Sequence, residues 1–498
     1  MGDSTYPSPL GRANSIIADG AEGLHSPSQA GYAGQALAAA LLAKIFRHVR
    51  MGIAVRLWSG STFRVGAAEP GAGAAARGKA AEGAAAGEAG GEADTTAECA
   101  AAEPPFVLWF RTPWAVVSLV LGRDPLRLAD AYFRGEVDIE GDLFAALSLK
   151  DHLEEMKLSL GERFSAFFMA LKLRSLNQSL VAVGSPRVQD AGERVHTRGR
   201  VVRAHSKDEN REAIQFHYDV SNEFYKLWLD RNMVYSCGYF ERAALGIDDA
   251  QQAKLEHICR KLLLKPGERL LDLGCGWGAL VIHAARRHGV RAHGITLSGK
   301  QLELARARIA AAGLEDRVTV ELRDYRELDG EALYNKVASI GMFEHVGLKN
   351  LPVYFDTVRR VLKPGGLFLN HGITHEHAGW GENLSTEFIN RYVFPDGQLD
   401  AVSNIQRFME EARFEIADVE GLRAHYALTL RAWVERLERR RARALEYVSE
   451  ATYRVWRLYM SACALEFEAG NLGIYQILAR RRGAEAQMPL TRRHLYVD

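Results

Sequence analysis

Cysteine is scarce in this sequence. The 498 residues include five cysteines, which are Cys99, Cys237, Cys259, Cys275 and Cys463. Their spacing matches no metal-ligand motif, and an odd number cannot form a complete set of disulfides. The sequence therefore predicts no metal site and no disulfide framework, which favours a reducing cytoplasm as the location of the protein.

A charge excess of either sign and a long hydrophobic run are also lacking. The 63 Lys and Arg nearly balance the 62 Asp and Glu, so global charge indicates no nucleic-acid partner. The longest apolar stretch, residues 106–121, contains Arg111 and Pro113 and is shorter than the roughly 20 residues of a membrane-spanning helix. Integral membrane insertion is therefore not expected.

The chain is longer than a domain with one hydrophobic core usually is, so more than one domain is expected. Its composition changes along the sequence and divides it into four parts. Residues 1–34 are rich in Ser, Gly, Ala and Pro and predict a disordered tail. Residues 35–160 predict a small α+β domain, which a low-complexity Ala/Gly insertion interrupts at 67–105. Residues 161–204 predict a linker, and residues 205–498 predict a larger catalytic domain.

The larger domain alternates strands with helices, which is typical of a parallel sheet joined by crossover helices. We expect strands at 269–273, 290–297, 317–322, 337–342 and 367–373. Ser298 is the expected N-cap of the helix that follows the second of these strands. The C-terminal hundred residues are expected to be mainly helical.

The most informative segment is RLLDLGCGWG at 269–278, which predicts a buried strand, a glycine turn and a helix. Gly274, Gly276 and Gly278 lack Cβ atoms, so a ligand can approach the backbone and the free N–H groups of the next helix. These features predict a site for a nucleotide-like cofactor.

The pattern after the glycine turn argues against a nicotinamide cofactor, which would usually need G-x-G-x-x-G and an acid about 20 residues later. The second strand instead ends in GITLS at 294–298, with Gln301 beyond it. Asp324 and Tyr325 follow the third strand, where contacts to an adenine are expected. The arrangement resembles a class I methyltransferase that uses S-adenosylmethionine. It predicts a Rossmann-like α/β fold with a mostly parallel seven-stranded sheet, plus the small N-terminal α+β domain.

Several further segments resemble the cyclopropane-fatty-acyl-phospholipid synthases and the mycolic acid cyclopropane synthases. They are FHYDVSNEFYKLWLD at 216–230, MVYSCGYF at 233–240, GMFEHVG at 341–347, NHGI at 370–373 and HYALTL at 425–430. The resemblance covers residues 205–480. The segment AYFRGEVDIEGDL at 131–143 is similar to the end of the N-terminal domain of the phospholipid enzymes, which the mycolic branch lacks. This favours a membrane phospholipid as the substrate.

The resemblance implies a reaction in which a methylene group from S-adenosylmethionine is added to a cis double bond of an acyl chain, forming a cyclopropane ring. Family members use a bound bicarbonate ion as the base. Here the backbone of Cys237 and Ile373 and the side chains of Glu344, His371 and Tyr426 would hold this ion. Glu344 would accept its hydrogen bond, whereas His371 and Tyr426 would donate to its oxygens.

Other positions also follow from the resemblance. Cys463 matches a C-terminal cysteine of the family, although the mechanism gives it no step. Phe343, Tyr426 and Trp433 are candidate aromatic faces for the cationic intermediate. The implied cofactor contacts are Tyr235, Ser236, Gly274, Gly276, Thr296, Leu297, Ser298, Gln301, Asp324 and Tyr325.

Structural interpretations compete with these roles. Glu344 could be a solvated loop acid, and His371 could be a hydrogen-bonded core histidine. His345 is interpreted as structural. The thiol of Cys237 could simply pack in the core.

Unsaturated phospholipid acyl chains are the expected partners, and the protein is expected to bind peripherally to the inner face of the membrane. The arginines at 436–443 and 480–482 could attract anionic headgroups, but the interleaved glutamates are equally consistent with a salt-bridged surface. A homodimer is the expected assembly. The alternatives are a methyltransferase that makes methyl-branched chains or methylates an amine, and a catalytically silent lipid-binding protein.

Overall fold

A computed structural model of the protein describes residues 29–66, 104–121, 126–152, 158–178, 221–379, 381, 387–388, 391, 398–483 and 488–496. Several expectations lie outside the described residues. They are the disordered tail as far as residue 28, the insertion at 67–103, most of the linker at 179–204, and the first residues of the segment at 216–230.

The first domain is a four-stranded sheet covered by helices. Its strands are β1 (Ile53–Arg56), β2 (Thr62–Val65), β3 (Phe106–Phe110) and β4 (Val137–Gly141), in the order β2-β1-β3-β4. Its helices are α1 (Gln29–Ile45), α2 (Pro113–Leu121), α3 (Arg127–Phe133), α4 (Leu143–Leu147) and α5 (Leu160–Gln178). Alternation along β3 places Phe106, Leu108 and Phe110 in the core.

Helix α5 shows that the predicted linker is wrong for residues 161–178. Ala166, Ala170 and Leu173 follow a helical spacing, and all three are buried in the core of the first domain. This buried face consists mainly of alanine, so it lacks the large apolar residues that usually mark a core helix. Phe164 and Phe168, which are large and apolar, are exposed instead.

The second domain contains a seven-stranded sheet, which confirms the predicted α/β fold. Its strands are β5 (Arg269–Leu273), β6 (Arg291–Thr296), β7 (Val318–Leu322), β8 (Tyr334–Ile340), β9 (Leu362–His375), β10 (Phe414–Gly421) and β11 (Leu472–Arg481). The order is β10-β11-β9-β8-β5-β6-β7. Strands β5 to β9 are parallel, and β11 pairs antiparallel with β9 and β10. The last two strands lie in the segment that was expected to be mainly helical.

Helices cover both faces of this sheet. They are α6 (Asn222–Trp228), α7 (Ile247–Lys261), α8 (Ala279–His288), α9 (Gly299–Ala311), α10 (Leu351–Val361), α11 (Val402–Glu411), α12 (Arg423–Arg439), α13 (Arg441–Ala444) and α14 (Glu450–Ala469). Ser298 caps α9 as predicted, because its side chain accepts a hydrogen bond from the backbone N–H of Gln301. None of the helices in the described ranges is long and apolar enough to cross a membrane.

The two domains meet at α14. The buried guanidinium of Arg454 donates to the carbonyl oxygens of Tyr132 and Val137, at 3.0 and 3.3 Å. It also forms an ion pair of 3.2 Å with Asp138. Further along α14, Glu466 pairs with Lys150. These contacts place the first domain beside the helix that also borders the functional site.

Candidate functional site

The glycine turn after β5 opens a cavity at the carboxyl ends of the parallel strands. Gly274, Gly276 and Gly278 have positive φ angles of 79°, 54° and 81°, a region that L-residues with side chains rarely adopt. A Cβ on Gly278 would also lie 3.3 Å from the side chain of Ala305. The turn therefore requires glycine both for its backbone conformation and for the packing of α8 against α9.

This cofactor cavity has a volume of about 150 Å³. Nine of the ten residues predicted to contact the cofactor line it: Tyr235, Ser236, Gly274, Gly276, Thr296, Leu297, Gln301, Asp324 and Tyr325. The exception is Ser298, whose side chain is used to cap α9. Ser298 does not line the cavity, so the structure does not place it where the predicted cofactor contact requires.

Some of these polar groups already bond to each other. Thr296 Oγ1 donates to Gln301 Oε1 at 2.7 Å. The Asp324 carboxylate accepts two hydrogen bonds from the Arg326 guanidinium, at 2.8 and 2.6 Å. Tyr325, in contrast, has a buried hydroxyl without a hydrogen-bond partner in the described part of the chain. Asp324 is thus held in place by Arg326, and the Tyr325 hydroxyl is open to a ligand.

Sequence reasoning missed two buried charged residues at this cavity, Lys254 and Asp272. Lys254 Nζ donates to Ser236 Oγ at 2.9 Å, and both residues line the cavity. Burial lowers the pKa of Lys254 to about 8 and raises the pKa of Asp272 to about 7. Lys254 could have been noticed because it lies four residues after buried Ala250, on the core face of α7.

A smaller cavity of about 90 Å³, the reaction chamber, adjoins the cofactor cavity. The two share Tyr235, Ser236, Gly341 and His345 as lining residues. All six residues predicted for catalysis line the chamber: Cys237, Glu344, His371, Ile373, Tyr426 and Cys463. The structure therefore brings together residues that are up to 226 positions apart in sequence, from Cys237 to Cys463.

Glu344 is buried at one side of the reaction chamber. Its Oε1 accepts a hydrogen bond of 2.8 Å from the backbone N–H of Ile373. Its Oε2 is buried and has no partner among the described residues. Burial raises the pKa of Glu344 to about 7. The Ile373 N–H was expected to bind an ion directly, but it is used to orient Glu344.

His371 lies on β9, lines the same chamber as Glu344 and is also buried. Its Nε2 has no partner within the described residues. Burial lowers its pKa well below the usual value, and the nearby cations Lys254 and Lys261 add to this effect. The imidazole is therefore neutral and has one ring nitrogen open to the chamber, which argues against the core-histidine interpretation.

The buried cysteines do not provide a nucleophile. The Cys237 thiol donates to the carbonyl oxygen of Gly238 at 3.2 Å, and burial raises its pKa. Burial also raises the pKa of Cys463 to about 12. Since a thiolate is the reactive form, both side chains act here as packing groups.

Another cysteine lies beside two histidines away from the chamber. Ligand atoms of Cys259, His283 and His288 lie within 4.8 Å of one another. Glu256 contacts both imidazoles, at 2.9 and 3.2 Å, and also accepts from Arg260. The polar groups of this cluster therefore satisfy each other.

Of the aromatic residues proposed as cation-stabilising faces, Tyr426 lines the chamber, whereas Phe343 and Trp433 are not lining residues. Phe343 packs against the backbone of Gly372, where its ring fills the space of a Cβ. Trp433 lies behind Tyr235, with ring centroids 5.3 Å apart. Tyr235 borders both cavities, so it supplies the second aromatic face.

His345 was interpreted as structural, but it borders both cavities. Burial lowers its pKa to about 4. It is therefore a neutral side chain at the junction between the cofactor cavity and the reaction chamber.

A third, apolar cavity of about 960 Å³ borders the chamber and has no lining residue in common with the cofactor cavity. It shares Tyr459, Cys463 and Leu472 with the reaction chamber. The first domain contributes side chains such as Leu108 and Phe110, and the second contributes Leu458. We call it the apolar cavity. The three cavities form a series in which a small chamber, with Glu344, His345 and His371 in a mainly apolar lining, lies between a cofactor site and a large hydrophobic space.

Comparison with known proteins fits this arrangement. The sequence model of the family described as "Mycolic acid cyclopropane synthetase" matches residues 205–477. A "Probable fatty acid methyltransferase" from Pseudomonas putida is 42% identical over 377 residues, which cover 74% of this chain and 86% of the relative. The cyclopropane-fatty-acyl-phospholipid synthase of Escherichia coli is 40% identical over 266 residues, covering 53% of this chain and 66% of the relative.

Solved structures agree with the sequence comparisons. A cyclopropane synthase from Mycobacterium tuberculosis is 30% identical and superposes with a TM-score of 0.52, covering 54% of this chain and 98% of that structure. A mycolic acid cyclopropane synthase complexed with SAH and CTAB is 31% identical, also with a TM-score of 0.52, and covers 54% of this chain and 98% of that structure.

Proposed function

This chain belongs to the mycolic acid cyclopropane synthetase family, and from that premise we propose that it forms cyclopropane rings on unsaturated acyl chains of membrane phospholipids. It is an S-adenosylmethionine-dependent methyltransferase, as its family and its relatives show. The observation that carries the proposal is the series of three cavities. It supplies a cofactor site, a small chamber that contains Glu344 and His371, and a space for a long apolar chain in the order that the reaction needs.

In the proposed reaction, the π electrons of the alkene form a bond to the methyl carbon of S-adenosylmethionine. The sulfur–methyl bond breaks, and its electron pair stays on sulfur to give S-adenosylhomocysteine. The second alkene carbon is left as a cation, which the faces of Tyr235 and Tyr426 would stabilise. The added methyl group then loses a proton, and the electrons of that C–H bond close the ring.

The base must take this proton without attacking the cation, and bicarbonate, when bound, would supply such a weakly nucleophilic base. Two buried atoms of chamber residues, Glu344 Oε2 and His371 Nε2, lack a hydrogen-bond partner among the described residues. The chamber volume of about 90 Å³ is several times the roughly 10–15 Å³ that one water molecule needs. Glu344 would accept a hydrogen bond, and His371 and Tyr426 would donate. Glu344 shares its proton readily because its pKa is about 7.

A lipid substrate is supported by the apolar cavity and by the two-domain architecture. Side chains from both domains line that cavity. The Pseudomonas putida relative aligns over 74% of the chain, which is more than the catalytic domain alone. We propose that the double bond enters the reaction chamber past Tyr459, Cys463 and Leu472 while the rest of the acyl chain stays in the apolar cavity.

We assign membrane docking to the exposed side of α5. Leu160, Phe164, Phe167, Phe168 and Leu171 are exposed on this helix. Phe164 and Phe167 also line the apolar cavity, so the exposed surface continues into the proposed acyl site. Such a contiguous apolar patch at the mouth of a cavity is typical of a membrane-binding surface.

The arginines at 436–443 are less suited to docking than α5. Arg436 pairs with Asp248, Arg439 with Glu435, Arg441 with Glu450 and Arg443 with Glu446. Arg440 donates to the carbonyl oxygen of Leu227. This surface is salt-bridged, as the alternative interpretation expected. Homodimerisation and a cytoplasmic location stay predictions.

A methyl-branched product is the second candidate, because the Pseudomonas putida relative is named as a fatty acid methyltransferase. The first bond-forming step would be the same. In the second reaction the cation would lose a proton from a neighbouring carbon of the acyl chain, so that the methyl group stays intact beside a displaced double bond. Incubation with unsaturated phospholipid vesicles and S-adenosylmethionine tests both candidates. Ring-proton resonances in the product support our proposal, whereas a branched methyl resonance supports the second candidate.

A further inference from the structure

Gln476 lies next to His371 and takes no part in the roles described so far. The two residues face each other across the antiparallel pair of β9 and β11, so their side chains project to the same side of the sheet. Both are fully buried, and Gln476 Nε2 lies 3.0 Å from His371 Nδ1.

With the amide nitrogen of Gln476 facing the ring, and its Oε1 without a partner among the described residues, this contact sets which nitrogen of the imidazole carries the proton. An amide nitrogen can only donate, so Nδ1 of His371 must accept. A neutral imidazole has one N–H, and that N–H is then at Nε2. Nε2 has no partner in the described part of the chain, and His371 lines the reaction chamber.

The opposite tautomer would suit the chamber poorly. It would present the lone pair of Nε2 to a space that already contains the open Oε2 of Glu344. Two acceptors facing one small anion repel it, whereas an N–H attracts it.

We propose that Gln476 is a positioning residue that fixes the Nε2–H tautomer of His371 and so aims a hydrogen-bond donor at the anion in the reaction chamber. This inference rests on the proposed function of that chamber as a bicarbonate site. Gln476 itself touches neither the anion nor the acyl chain, and acts through the imidazole.

Two substitutions separate this role from simple packing. Gln476→Met keeps the length of the side chain but removes the donor, so His371 can adopt either tautomer. Gln476→Glu replaces the donor by an acceptor and moves the proton to Nδ1. Ile477→Val is the control, because Ile477 is the next residue on β11 and packs in the core on the opposite face of the sheet.

The first measurement is ¹⁵N NMR on the full-length protein with labelled histidine, in which a His371→Asn variant assigns the resonance among the 16 histidines. We expect a protonated Nε2 in the wild type and the Ile477→Val variant, and a protonated Nδ1 in Gln476→Glu. A wild-type His371 protonated at Nδ1 would overturn the proposal. This readout needs no lipid turnover, so it is independent of the proposed reaction.

The second measurement is the affinity for bicarbonate, read from the shift of the same resonance and from the KM for bicarbonate. Loss of one hydrogen bond to a charged group predicts a weakening of roughly ten- to a hundredfold in Gln476→Met, with kcat recovered at saturating bicarbonate. Gln476→Glu should be weaker still. Unchanged affinity in both variants would overturn the proposal. If bicarbonate shifts the His371 resonance but no lipid product forms, the proposed reaction is refuted and the role of Gln476 is not.

Discussion

The backbone N–H of Ile373 donates to Oε1 of Glu344 at 2.8 Å, and this contact leaves Oε2 of the same carboxylate, in a residue that lines the reaction chamber, without a partner among the described residues. Ile373 lies on β9. Glu344 lies in the turn that follows β8, the strand that pairs with β9. The pairing of two parallel strands thus sets the direction of the acid. Such preorganisation by the backbone costs little rearrangement during the reaction.

Glu344→Gln should reduce turnover by about a hundredfold or more, because an amide cannot accept and share a proton as the carboxyl group does. The change is isosteric, so the contact with the Ile373 N–H can persist through the amide oxygen. The measurement is initial rate on unsaturated phospholipid vesicles, with Glu376→Gln at a partly exposed position as the control. A Glu344→Gln enzyme with wild-type rates would contradict the assigned role.

Stability should depend on pH through Glu344. Its pKa is about 7 in the folded protein and is raised above the ordinary value of 4.5. The folded state therefore binds this proton more tightly than the unfolded state, and stability falls as pH rises from about 4.5 through 7. The expected loss is about 3 kcal/mol.

The test compares the free energy of unfolding of wild type and Glu344→Gln between these pH values. Other buried acids such as Asp272 are present in both proteins, so their contribution cancels in the difference. The difference should grow in favour of the variant as pH rises. A difference that stays constant with pH would refute the assignment.

Asp272→Asn should weaken the binding of S-adenosylmethionine by about tenfold, because it removes a buried carboxylate from the cavity that receives a sulfonium cation. Asp272 Oδ1 has no partner among the described residues, and Lys254, the cation whose charge acts on Asp272, has its own hydrogen bond to Ser236. Calorimetric titration measures the effect, and Asp329→Asn at a fully exposed position is the control. Equal affinities for wild type and Asp272→Asn would exclude this role.

The double variant Leu160→Asp, Phe168→Asp should lose vesicle binding by roughly a hundredfold or more, since two apolar side chains are removed and each is worth about 1.5–3 kcal/mol when buried. Both residues are exposed and neither lines the apolar cavity, so folding and the acyl site should be preserved. Cosedimentation with anionic vesicles measures binding. Val353→Asp introduces the same charge at an exposed position of α10 and should bind normally. Docking through α5 is excluded if the double variant binds as tightly as Val353→Asp.

The glycine turn and the five parallel strands could be predicted from sequence because each has a local signal. Three glycines in five residues mark the turn, and short apolar runs mark the strands. Strands β10 and β11 were missed because they lie among helices and lack a distinctive pattern. β10 mixes apolar with acidic residues, and β11 mixes apolar residues with arginine, as the neighbouring helices do. Their assignment depends on the pairing of β11 with β9 and of β10 with β11, which are contacts between distant parts of the chain.

The site was predicted through the family resemblance more than through physical signals. Glu344 and His371 have no local pattern that distinguishes a chamber residue from a core residue. The three-dimensional contacts added what the sequence does not contain, namely the use of the Ile373 N–H by Glu344 and of the Asp324 side chain by Arg326. Helix α5 was missed for a different reason. Its large apolar residues are exposed and its buried residues are mainly alanine, so the sequence lacks the pattern of a core helix.

The most direct measurement of the central claim uses S-adenosylmethionine with a fully deuterated methyl group and vesicles of a monounsaturated phospholipid. We predict a product acyl chain that keeps two of the three deuterons and shows cyclopropane ring signals by ¹³C NMR, since one deuteron leaves with the base as the ring closes. A product that keeps all three deuterons in a branched methyl group would contradict ring formation by this enzyme.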